Sequence, residues 1–261
     1  MLNRQLRTEF KRSINSKNLL KWLIIILIIP LSSFYPIRTG YLYYSSVEVF
    51  QEMVGLIIPM IFPVLVVFIY LPNFVLEQKN NFITYTRSRI PINQYILSKG
   101  LMNAFLTGTI IFLMVFFSFV FAVYIEPNIL HVISLTPADG GNYNYNVTFS
   151  QLLVYGDFVY GIVYSLWVGL NASLYSTISF LLLLIISRTF IGLSLPFLFY
   201  HIFNFITAII VGARFSPIST IFPFNIEQQE IWTAMIPFAF LLIVAIILLI
   251  LVVLNKEDWK I

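Results

Sequence analysis

At 261 residues, 59% of them hydrophobic and only 10% charged, with a mean hydropathy of +0.91, the chain is far too apolar for a water-exposed globule. It has no cysteine, which removes disulfides, thiolate metal sites and a cysteine nucleophile together. The net charge of +4 belongs to topology rather than to a nucleic-acid partner, because basic residues in so apolar a chain first report which span ends face inward.

Residues 1–18 read as an interfacial helix. Leu2, Leu6, Phe10 and Ile14 recur every fourth position with Arg4, Arg7, Lys11 and Arg12 beside them, the pattern of a helix lying on a membrane surface. The long basic region, with no small-residue cleavage site after the apolar run, argues against a cleaved signal peptide. Crossing a hydrocarbon layer of about 30 Å takes about 20 apolar residues, and six such runs follow, near 19–36, 54–75, 101–125, 158–186, 190–211 and 236–254. Trp22, Tyr43, Tyr44, Tyr155, Tyr160, Trp232 and Trp259 fall near their ends, where rings settle at water–lipid boundaries. Lys21, at the edge of the first run, can snorkel.

Between the second and third runs lies the strip 77–99, EQKNNFITYTRSRIPINQYILSK, with four basic residues and one acidic. Lys79, Arg87, Arg89 and Lys99 join the basic N-terminus, Arg188, Lys256 and Lys260 on one side, while the alternate loops hold only Arg38 and Arg214 among several acids. That asymmetry places both termini and the strip in the cytoplasm. The strip is longer than a topogenic turn needs. Pro91 divides it into a short polar helix and a second helix that runs into the third span, with Ile92, Tyr95, Ile96 and Lys99 on one face.

The remaining loops, 126–157 and 212–231, are expected outside, and Phe215, Ile218, Ile221, Phe222 and Phe224 should turn the second back into protein. Gly161, Ser165, Gly169 and Ser173 form a small-residue ridge on the fourth span, which lets another helix approach closely, within one subunit or between two. Pro59, Pro63 and Pro196 are kink positions. His201 and Asn204, one turn apart in the fifth span, read either as a mutually satisfied pair or as a polar spot on a translocation path.

Chemistry is scarce. No phosphate-cradling loop and no His-Glu-x-x-His pair occurs, so the chain reads as no enzyme and as binding no cofactor itself. Ser194 and His201 stand seven residues apart, about 10.5 Å along a helix, too far for a nucleophile and its base. The spans carry no Asp or Glu away from their ends, which disfavours proton- or sodium-driven transport.

With Glu77, the short polar helix, Ile90-Pro91, Tyr95 and Lys99-Gly100 in this order after a basic surface helix and two spans, nearly the whole chain resembles a type-2 ATP-binding-cassette permease subunit. The resemblance implies an all-α, polytopic single domain over 1–261, with six spans and a cytoplasmic coupling helix between spans two and three. It also implies a separate ATPase subunit holding ATP and Mg, and a second permease subunit, identical or different, in a bacterial plasma membrane. On the same resemblance Asn80, Asn81, Phe82, Thr84, Tyr85, Arg87 and Arg89 would contact the ATPase. The cargo would be amphipathic or hydrophobic, with toxin-like or antimicrobial peptides preferred to polysaccharide, lipid or drug. A membrane-embedded interaction or sensor protein that transports nothing is the competing class.

Overall fold

The computed structural model describes residues 2–40, 43–80, 90–130, 132, 147–186 and 188–254, and among them it is helical throughout, with no β-sheet. Six helices are long and apolar enough to cross a membrane, as the six apolar runs require, and the chain is a multi-pass membrane protein. A preceding helix, α1 (Leu2–Ser13), is separated from them by a break at Ile14 and Asn15. The spans are α2 (Ser16–Gly40), α4 (Ile58–Lys79), α5 (Ile92–Ile129), α6 (Asp157–Ile185), α7 (Thr189–Ile210) and α9 (Ile231–Leu254). Two short helices, α3 (Ser46–Gly55) and α8 (Pro217–Ile221), lie at the end of the bundle away from α1, each against α6 near Tyr164.

The second span begins at Ile58, not near 54, because α3 runs through Val54 to Gly55 and the helix breaks at Leu56 and Ile57. Residues 46–55 are therefore no loop. Ser45 caps the N-terminus of α3 by accepting from the Glu48 amide at 3.3 Å. Phe50, Met53 and Val54 are then fully buried. Pro59 falls in the first turn of α4, where its missing N–H costs nothing, so of the expected kink positions only Pro63 and Pro196 stand inside helices, with Pro72.

The α2 and α5 helices each contain one π turn, Ile24–Ile28 and Phe121–Ile125. Both widen the helix just before a proline. The Ile29 amide donates to the Ile24 carbonyl ahead of Pro30, and the Glu126 amide to the Phe121 carbonyl ahead of Pro127. A proline lacks the donor for the preceding turn and crowds the carbonyl there, and the wider turn relieves both.

The most buried span is α6, and it packs mainly along α5. Its small-residue ridge is what brings the two backbones together. A Cβ added to Gly108 of α5 would stand 2.1 Å from Ser173 Oγ and 3.1 Å from the Gly169 carbonyl oxygen, and one on Gly161 would stand 2.4 Å from the Phe119 ring. The Ser173 hydroxyl donates across the seam to the Ala104 carbonyl at 2.9 Å, while Ser165, fully buried, donates back to the Gly161 carbonyl at 2.6 Å. The ridge is thus occupied by a helix of the same chain.

Aromatic rings fill the remaining core. Phe50 meets Phe119, Tyr160 and Tyr164 edge-on at 5.5, 6.0 and 5.9 Å, and Phe62 meets Tyr175 and Phe222 at 5.7 and 5.4 Å. This corrects part of the boundary reading, since Trp22, Tyr43 and Tyr160 are buried among side chains, whereas Tyr44, Tyr155 and Trp232 are exposed as expected. Trp259 lies outside the described residues. The segment after α7 packs inward: Ile221 and Phe222 are buried, and their neighbourhood is pinned by Tyr164 Oη donating to the Ile221 carbonyl at 2.9 Å and Trp167 Nε1 to the Thr220 carbonyl at 3.0 Å.

The Gly108 seam is testable. Gly108→Ala should destabilise the protein by about 1–3 kcal/mol through overpacking against Ser173 and Gly169. Gly40→Ala, whose added Cβ meets nothing within 4 Å, should change it by less than about 0.5 kcal/mol. Thermal unfolding in detergent measures both, and equal behaviour of the two variants would refute a close helix contact at this seam.

Candidate functional site: a buried ionic clamp

At the end of the bundle that carries α1, three segments deliver charged side chains to one point. The eighth residue of α5, Lys99, is 1% exposed. Its ammonium donates to Glu9 of α1 and to both oxygens of Glu77, near the end of α4, at 2.8 and 2.7 Å. Tyr95, one turn before Lys99, donates its hydroxyl to Glu77 Oε2 at 2.7 Å. Arg12 of α1 closes the arrangement from the outside, with Nη1 3.2 Å from Glu77 Oε1 and its side chain 42% exposed.

Local sequence explains each position. The helix face anticipated for α5 brings Tyr95, Ile96 and Lys99 inward together. In α1 the face that turns toward the bundle carries Glu9 and Ser13, both buried, while Phe10 and Ile14 of the apolar stripe stay exposed on the protein, where lipid would cover them. Ser13 and Asn18 hold the bend after α1: Asn18 Nδ2 donates to the Ser13 carbonyl at 2.9 Å, and Asn15 caps α2 by accepting from the Asn18 amide at 2.9 Å.

Two carboxylates and two cations make the cluster neutral as a whole, which is the condition for burying charge at all. Beside it opens a polar cavity of about 230 Å³, lined by Arg12, Asn15, Asn18, Asn73, Glu77 and Asn80 among others. Asn80 ends α4, its amide donating to the Leu76 carbonyl at 3.1 Å, and its side chain is exposed. Of the residues expected to contact an ATPase, Asn80 is thus at the clamp; Asn81, Phe82, Thr84, Tyr85, Arg87 and Arg89 lie outside the described residues. Of the strip 77–99 the structure assigns Glu77–Lys79 to α4 and Ile92–Lys99 to α5, so the two span helices extend into it from both sides.

Sequence reasoning missed Glu9 altogether and counted Lys99 among the free basic residues that set orientation. A single Glu amid the basic residues of α1 was the available signal, since an acid in a basic amphipathic helix has a reason to point toward a cation on another segment. The membrane-edge Lys21 lies over the Phe68 ring at 5.4 Å.

The other candidates are held apart. His201 Nε2 lies 3.2 Å from the Met60 carbonyl, and Asn204 Oδ1 accepts from the Ile218 amide at 3.0 Å, so the two are not partners of each other but tie α7 to α4 and α8. Ser194 Oγ donates to the Phe190 carbonyl at 2.8 Å within its own helix. Among the described residues no group of three or more His, Cys, Asp or Glu side chains is placed to hold a metal. No family model, curated protein or solved structure matches the chain.

The clamp predicts a signature in stability. Lys99→Met leaves Glu9 buried without a cation and Glu77 with only the rim Arg12, and should cost about 3–5 kcal/mol. Adding Glu9→Gln and Glu77→Gln to the same chain should recover most of that loss, measured by thermal unfolding. Arg12→Ala, at an exposed rim, should cost under about 1 kcal/mol. A Lys99→Met loss that the two Gln substitutions do not relieve would contradict a charge-balanced core.

Proposed function

We propose that this chain is the membrane-spanning permease subunit of an ATP-driven exporter of the type-2 ATP-binding-cassette kind, moving amphipathic or hydrophobic cargo, peptides by preference, out of a bacterial cell or its membrane. In this reading the termini and the 81–89 segment face the cytoplasm. A separate ATPase subunit, with its ATP and Mg, engages that segment, and a second permease subunit completes the path.

The observation that carries the reading is the clamp. The segment 80–91 leaves α4 just after Glu77 and returns just before Tyr95 and Lys99, so its two roots and α1 are joined by one charge cluster. A push delivered to such a segment passes to two spans and the surface helix together. A topogenic turn has no use for that joint. Two further features support the cargo and the partner. An apolar groove of about 430 Å³, lined by Ile96, Leu97, Gly100, Phe180, Leu249 and Val253, opens between α5, α6 and α9 at the same end and suits the greasy side of an amphipathic molecule. The least buried spans, α7 and α9, offer apolar faces to lipid or to a second subunit.

The reading is tested by asking whether the adjacent reading frame encodes a P-loop ATPase, co-expressing the chain with such a protein, and measuring ATP hydrolysis in lipid with and without candidate peptides. Phe82→Ala, Tyr85→Ala and Arg87→Ala should each lower peptide-stimulated hydrolysis about tenfold, a barrier change of about 1.4 kcal/mol. Failure of the intact pair to co-purify, or stimulation untouched by all three substitutions, would sink the proposal. A sensor that transports nothing would show no peptide-dependent turnover in any variant.

A further inference from the structure

At the opposite end of the bundle from the clamp, a second acid is buried, and among the described residues no cation meets it. Glu126 is 3% exposed and follows directly on the π turn of α5. Its Oε1 accepts from the Val132 amide at 2.5 Å, and among the described residues no other hydrogen bond and no ion pair to this carboxylate is found. It lines a cavity of about 230 Å³ together with Tyr43, Ser45, Ser46, Val49 and Val132. The side chains there are one carboxylate, three hydroxyls and an apolar wall.

A buried carboxylate needs its charge balanced, and among the described residues no cationic side chain pairs with it. The titratable groups on α3, the helix packed against this turn, are Glu48 and Glu52, both acids, and Glu48 Oε2 is engaged by the Tyr44 amide at 2.8 Å. Arg38 at the end of α2 is exposed and makes no ion pair among the described residues. The N-terminus of α3 supplies a partial positive charge at Ser45 and Ser46, about half an elementary unit at most.

We propose that this cavity is a binding site for a primary ammonium group, with Glu126 as its counter-ion and the hydroxyls of Ser45 and Ser46 as neutral acceptors. A divalent metal fits the donor set poorly, because calcium sites gather several carboxylates and carbonyls whereas this cavity offers one carboxylate in a space several times a water's volume. An ammonium needs one charge and a few acceptors, and can enter on a flexible stem. The group is carried by a lysine-bearing peptide or by the headgroup of phosphatidylethanolamine. The site stands whether or not the chain is a permease; if it is, this is a place on the outer side where cationic cargo pauses.

Dansylcadaverine, a fluorescent primary amine, titrated onto the full chain in phosphatidylcholine nanodiscs and followed by anisotropy, tests the site without any ATPase. Saturable binding is expected, and the N-acetylated probe, which lacks the ammonium, should not compete. Glu126→Gln should weaken binding about tenfold or more, as loss of a charged hydrogen-bond partner does. Ser46→Leu, which leaves the carboxylate in place and fills the cavity, should do the same and guards against a Glu126→Gln chain that fails to fold. Competition by a soluble lysine-rich peptide identifies peptide as the source. Weakened binding when about a third of the lipid is phosphatidylethanolamine identifies the headgroup instead. Absence of saturable binding, equal competition by the acetylated probe, or unchanged affinity in both variants would show that Glu126 only pins the Val132 turn, and would overturn the proposal.

Discussion

Lys99 is buried out of water with Glu9 and Glu77 converging on it from two other segments. Burying an ammonium costs several kcal/mol, and the cost is offset only while both acids hold their places. That condition fixes α1, the end of α4 and the start of α5 relative to one another more firmly than apolar contact would, since apolar surfaces slide with little change in energy whereas a hydrogen-bonded ion pair does not. The segment between α4 and α5 therefore leaves from a braced base. Any displacement of its roots is shared among three helices or breaks the cluster.

The rest of the bundle is held by a different physics. Along the α5–α6 seam glycine and serine let backbones come within van der Waals reach, so dispersion and short hydrogen bonds replace the hydrophobic effect that lipid cannot supply. Around it Phe50, Phe62, Tyr160, Tyr164 and Tyr175 lock edge to face. The end that holds α3 and α8 is thus largely aromatic and apolar, with Glu126 as its buried carboxylate, and the end that holds α1 is polar and charge-balanced. A bundle stiff in the middle and tied electrostatically at one end is suited to move as a lever, which is what the proposed coupling demands.

The sequence was most legible where a property runs along one segment. The six spans, a helix before them and the shared helix face of Tyr95, Ile96 and Lys99 came from run length and periodicity. It was least legible where polar residues had to choose partners. His201 and Asn204 look like a pair one turn apart, yet each bonds a different segment, and Lys99 reads as a solvated topogenic charge although it is sealed from water. Residues 46–55 look like part of a short connection because a helix of ten residues bounded by a capping Ser and a Gly leaves a weak local pattern.

The sequence by itself determined that this is a helical protein of the membrane with six spans, because the bilayer demands that every backbone donor and acceptor be satisfied inside its own segment, and that demand is written in consecutive residues. Only the tertiary structure decided which charges are neutralised and where. Glu9 and Lys99 lie 90 positions apart, and their meeting depends on the rotation and height at which α1 docks against α5, quantities set by packing between helices and carried by no local pattern in either one.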